Sequence, residues 1–81
     1  MRLTGGQIRA ARAFLQWSAQ TLAEHANLGL STVQRAEKAE GEPQITAANL
    51  TAIRTALEAA GVIFVDENGE GPGVRLKKAL T

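Results

Sequence analysis

The chain has 81 residues, of which 44% are hydrophobic, 21% charged and 4% aromatic, with a formal net charge of +1 and no cysteine. A chain of this length makes one small domain that buries only roughly 60% of its unfolded surface. The absence of cysteine excludes a disulfide framework and a thiolate metal site, and no apolar run approaches the ~18 residues of a membrane span. No signal peptide is visible, so a reducing, cytoplasmic setting is expected.

Helix starts are legible along the chain. Thr4 can cap a first helix, Gln7 completes a capping box, and Leu3 with Ile8 makes a hydrophobic staple. The same spacing recurs at Trp17, Ser18 and Leu22, at Leu28, Gly29 and Val33, and at Ile45, Thr46 and Leu50. The pattern predicts four helices. The first covers 5–16, with Ile8, Ala11 and Leu15 as its apolar stripe, widened by Phe14. The second covers 19–26 and stops at Asn27, which tolerates a left-handed turn. The third covers 30–39, burying Val33 and Ala36, before Gly41 and Pro43 break it. The fourth covers 47–60, with Leu50, Ile53 and Leu57 inward and Gly61 as its stop.

After Gly61 the period changes. Residues 62–65, VIFV, are β-prone, 66–73 are loop chemistry, and 74–77 alternate as a half-buried strand does. A hairpin is expected. Because all four residues Val62, Ile63, Phe64 and Val65 are apolar, both faces of this strand want cover. One face can pack on the fourth helix, and the segment is expected to pair with its copy in a second subunit, making Val62, Ile63, Phe64 and Val65 the interface of a two-fold dimer; the alternative is a monomeric hairpin folded against its own helices.

The segment 18–40 carries the functional reading. It is two short amphipathic helices joined by a tight turn. The second shows Ser31, Thr32, Gln34, Arg35 and Lys38 on the side opposite its buried residues. A small polar helix with a central Arg suits a DNA major groove, and Arg35 is the foremost candidate for base contact because Arg to guanine is the commonest specific pairing. Leu30 either touches a thymine methyl or covers the core edge. Charge is clustered: Arg2, Arg9 and Arg12 near the start; Arg35 and Lys38 in the third helix; Arg75, Lys77 and Lys78 near the end. Glu40 and Glu42 sit in the link before the fourth helix, and Asp66, Glu67 and Glu70 in the last loop. The carboxylates of Glu40 and Glu42 read as solvated. Arg9 reads as a free surface charge and His25 as an exposed helix residue. One histidine without cysteine makes no metal site, and no catalytic constellation or phosphate-binding glycine loop is present. Neither enzyme activity nor a cofactor is expected.

Residues 6–57 resemble the lambda-repressor-like helix-turn-helix domain, the Cro and Xre type of phage repressors and small bacterial regulators. The resemblance rests on Ile8, Arg12, Trp17-Ser18, Leu22, Ala23, Ala26, Ser31-Thr32-Val33, Glu37, Pro43, Leu50, Ile53 and Leu57. The ending GVIFVDENGEGPGVRLKK is similar to tails of such regulators in which a β-segment replaces a fifth helix. The resemblance implies a mainly α fold: a four-helix DNA-binding domain over 1–61, with its helix-turn-helix unit at 18–40 and a C-terminal β-hairpin or strand for dimerisation over 62–81.

It also implies DNA contacts from Gln20, Gly29, Leu30, Ser31, Thr32, Gln34, Arg35 and Lys38, and a structural ion pair between Arg12 and Glu37. The chain departs from the family at Ala19, Asn27 and Gly29, where Gln, Gly and Ser or Thr are usual. These departures bear on phosphate anchoring more than on fold. The function implied is a sequence-specific transcriptional regulator, a repressor that binds a palindromic operator as a homodimer. The alternatives are an antitoxin that also binds a toxin, and a protein-interaction module that has lost DNA.

Overall fold

Each helix among the described residues begins after a residue suited to an N-cap. The structure, a computed structural model, describes residues 3–41, 43–66 and 69–77. Within these, four helices and two strands follow one another: α1 (Gly5–Leu15), α2 (Ala19–Ala26), α3 (Leu30–Lys38), α4 (Ala47–Ala59), β1 (Val62–Val65) and β2 (Gly73–Leu76). The domain is mainly helical and ends in a short antiparallel hairpin. Arg2, Glu42, Glu67 and Lys78 lie outside the described residues.

The caps are local chemistry. The Thr4 hydroxyl accepts from the Gln7 amide at 3.1 Å, while the Gln7 side-chain oxygen accepts from the Thr4 amide at 2.9 Å. Ser18 accepts from the Thr21 amide and Thr46 from the Asn49 amide, at 3.0 and 3.1 Å. Each such cap is worth about 1 kcal/mol. Gly29 caps α3 without a side-chain bond. The ends of α1, α3 and α4 fall one residue before the expected positions, and α2 ends at Ala26 as expected. Gln16 and Asn27 both take the left-handed conformation, at φ 57°. Asn27 suits that geometry, whereas Gln16 adopts it while its amide closes back on Arg12 and Ala13.

A single core gathers Leu3, Ile8, Ala11, Leu22, Ala23, Val33, Ala36, Ile53 and Leu57, and it also takes in Val62 and Phe64. Helix α1 packs on α3, α2 on both α3 and α4, and the hairpin lies across α1 and α4. Small residues let α1 and α3 approach closely. The Gly5 amide donates to the Gly41 carbonyl at 3.1 Å, and a methyl group at Gly5 would run into the carbonyl oxygens of Ala36 and Ala39. Phe14 does not widen the α1 stripe; it is 49% exposed. Six residues beyond Ile8 at 3.6 residues per turn, it points roughly 120° away from that residue.

The hairpin corrects a second expectation. In the register Val62↔Leu76, Ile63↔Arg75, Phe64↔Val74 and Val65↔Gly73, alternate residues face opposite ways. Val62 and Phe64 are buried in the core of their own chain, Phe64 at 9% exposure, while Ile63 is 42% exposed and Val65 half-buried. Four apolar residues in a row therefore do not form one subunit interface. Two of them close the monomer, because α1 and α4 supply the cover for the inner face.

Gln7 holds the hairpin from the other end of the chain. Its side-chain nitrogen donates to the carbonyls of Gly73 at 3.0 Å and Val65 at 3.3 Å. One buried side chain thus completes the α1 cap and fixes the base of the hairpin loop.

Candidate nucleic-acid interface

Helix α3 is short, and its two sides differ sharply. Val33, Ala36 and Glu37 are buried, Ser31, Gln34, Arg35 and Lys38 are exposed on the opposite side, and Leu30 is exposed at the helix start, about two turns before Glu37. Spacings of three and four residues place Ser31, Gln34, Arg35 and Lys38 on one face. Thr32 is half-buried at the margin of that face. Within α3 no acidic side chain points outward, and Glu40 is exposed just beyond the helix end.

The buried side of α3 is fixed by charge as well as packing. Arg12 grips Glu37 with two parallel hydrogen bonds, Nε to Oε2 at 2.8 Å and Nη2 to Oε1 at 3.0 Å. Its third nitrogen, Nη1, donates to the Trp17 carbonyl at 2.9 Å. The planar fork of a guanidinium suits this bidentate geometry. One side chain of α1 therefore holds both the start of α2 and the last turn of α3. The hydrogen bond to Glu37 raises the Arg12 pKa above its ordinary value; partial burial opposes the rise, and the carboxylate charge adds to it. Arg12 stays cationic, and Glu37 is not an outward charge.

Arg9 is a correction to the expectation of a free surface charge. Its Nη1 donates to the main-chain carbonyl of Glu37, so the guanidinium is anchored beside the end of α3. No helical periodicity announces this bond, because its acceptor is backbone on another helix.

The exposed face of α3 is bordered by two open clefts. One, of about 650 Å³, is lined by Arg35, residues 43–46 and Asn49. The other, of about 420 Å³, is lined by Arg9, Gln34, Glu37 and Lys38. The structure thus brings Ser31, Gln34, Arg35 and Lys38 onto one face, with Leu30 exposed at the start of the helix. Gly29 is exposed at the helix start, and Gln20 lies on α2, where its amide donates to Glu24 at 3.3 Å. Ile63 and its neighbours belong to the separate hairpin.

No model of a known protein family matches this chain, and no curated protein sequence matches it. Among the described residues, no group of His, Cys, Asp or Glu could hold a metal ion, and no helix is long and apolar enough to cross a membrane. His25 is exposed, as expected of a surface residue, and its ring also stacks on Trp17 with centroids 4.3 Å apart and planes 15° from parallel. This contact flanks the turn between α1 and α2 and brings no second titratable group with it.

Proposed function

We propose that this chain is a sequence-specific duplex-DNA-binding regulator of the lambda-repressor-like helix-turn-helix kind, with α3 as its reading helix. The observation that carries this reading is the exposed, acid-free polar face of α3, locked from behind by the bond set of Arg12, Glu37 and the Trp17 carbonyl. An α-helix with its side chains is about 10–12 Å across, a size that fits a major groove about 12 Å wide. Arg35 suits guanine O6 and N7, Gln34 suits adenine, Ser31 and Thr32 offer hydroxyls, and exposed Leu30 suits a thymine methyl. Gly29 offers no hydroxyl to a phosphate, so backbone anchoring falls to cationic and amide side chains around α3.

The working unit in this reading is a two-fold dimer joined through β1. Its contact is narrower than the four apolar residues suggest: Ile63, Val65 and the outer edge of the strand. Two copies of α3 would then enter successive major grooves about 34 Å apart on a palindromic site. Repression is carried by the family resemblance alone.

Selection from a random duplex library with purified protein tests the proposal. A palindrome should be enriched, and Arg35→Ala should cost about 1–3 kcal/mol on it but much less on random duplex. Equal losses on both would remove Arg35 from base readout. No enrichment at low salt would instead point to a protein-interaction module.

A further inference from the structure

We infer that Arg9 and Lys38 form a phosphate-binding cleft beside α3, so that α1 takes part in holding the DNA backbone. The inference rests on the DNA reading above and adds Arg9, on α1, to the side chains of α3 that reading already uses. The cleft between α1 and α3 is lined by Arg9, Gln34, Glu37 and Lys38. Its one acid, Glu37, is 10% exposed and is occupied by two bonds from Arg12. Arg9 bonds the carbonyl of that residue rather than its carboxylate, so its full positive charge remains. The bond also orients the guanidinium in advance and leaves its other donors for a ligand.

Lys38 is exposed and enters no ion pair among the described residues. Gln34 and Lys38 lie four residues apart on the outward face, so the cleft opens toward the same side as Arg35. Two cations around one opening, one of them a fork held in place, match a phosphate oxygen pair. Because every phosphate is alike, this site contributes affinity and register without sequence information.

Arg9→Gln and Lys38→Gln test the site. Glutamine at position 9 removes the charge, but its shorter side chain also gives up the bond to the Glu37 carbonyl, and the melting temperature reads that structural loss separately. Affinity is measured by fluorescence anisotropy on the selected duplex and on a scrambled one across a salt series, with melting temperatures recorded beside it. Each variant should flatten the slope of log K against log salt by about one and weaken both duplexes by the same factor. An unchanged slope in both variants overturns the inference, even if Arg9→Gln lowers the melting temperature. In that case Arg9 merely staples α1 to α3. A wild-type chain that binds neither duplex at low salt overturns the DNA reading, and this inference with it.

Discussion

Arg12→Ala is the sharpest test of how α3 is held. The substitution removes three hydrogen bonds, two to the Glu37 carboxylate and one to the Trp17 carbonyl. It leaves a carboxylate that is 10% exposed without the cation that hydrogen-bonds it. Breaking a fully buried pair from one side costs about 3–5 kcal/mol. The Arg12 side chain is 27% exposed, so water already screens part of the pair, and the loss falls to about 2–3 kcal/mol. Glu37→Ala is gentler. The stranded guanidinium keeps the Trp17 carbonyl and is closer to water, so the cost is about 1–2 kcal/mol. Urea denaturation followed by circular dichroism separates the two. With a slope of about 1 kcal/mol/M for so small a domain, midpoints should fall by about 2–3 M and 1–2 M. A Glu37→Ala cost equal to or above that of Arg12→Ala would refute the asymmetry argued from burial. An Arg12→Ala midpoint at the wild-type value would show that the pair is fully screened.

Other substitutions probe packing and assembly. Gly5→Ala should cost about 1–3 kcal/mol, because its methyl meets the carbonyl oxygens of Ala36 and Ala39 and must push α1 from α3. Its neighbour has room, with the nearest atom 3.6 Å from a methyl at Gly6, so Gly6→Ala should be neutral or stabilising by up to about 1 kcal/mol in the same urea denaturation. Ile63→Asp should convert a wild-type dimer to a folded monomer in sedimentation at micromolar concentration, whereas Phe64→Asp should unfold the chain by burying a charge in its core. A wild-type monomer, or a dimer indifferent to Ile63→Asp, would remove β1 from the interface.

What could be read from the sequence was local. The caps at Thr4, Ser18, Gly29 and Thr46 involve residues within one turn of each other, so spacing alone located all four helix starts. The exposed face of α3 follows from helical period in the same way. Phe14 is apolar, but its angle around α1 keeps it off the Ile8 stripe, so its hydrophobicity alone misleads. The continuous apolar run 62–65 does not show which face finds cover within the chain, and it is the fold that turns Val62 and Phe64 inward. The second bond set of Gln7 and the anchor of Arg9 both end on main-chain carbonyls distant in sequence, and no side-chain pattern records those. Arg12 and Glu37 could be paired only through a family resemblance, since 25 residues separate them.

The double duty of Gln7 bears on the order in which the domain assembles. Its bonds to the Val65 and Gly73 carbonyls span separations of 58 and 66 residues. Closing so long a loop is entropically costly and slow compared with forming a helix turn. The contacts of α2 with α3, by contrast, join neighbours in the chain. Helix α1 can cap itself through Thr4 as soon as it forms, but the amide nitrogen of Gln7 exchanges water for its protein acceptors only when the hairpin docks. The seam between α1 and β2 is therefore the natural last step of folding and the first to open, while the pair of helices that presents Arg35 can be in place before it closes.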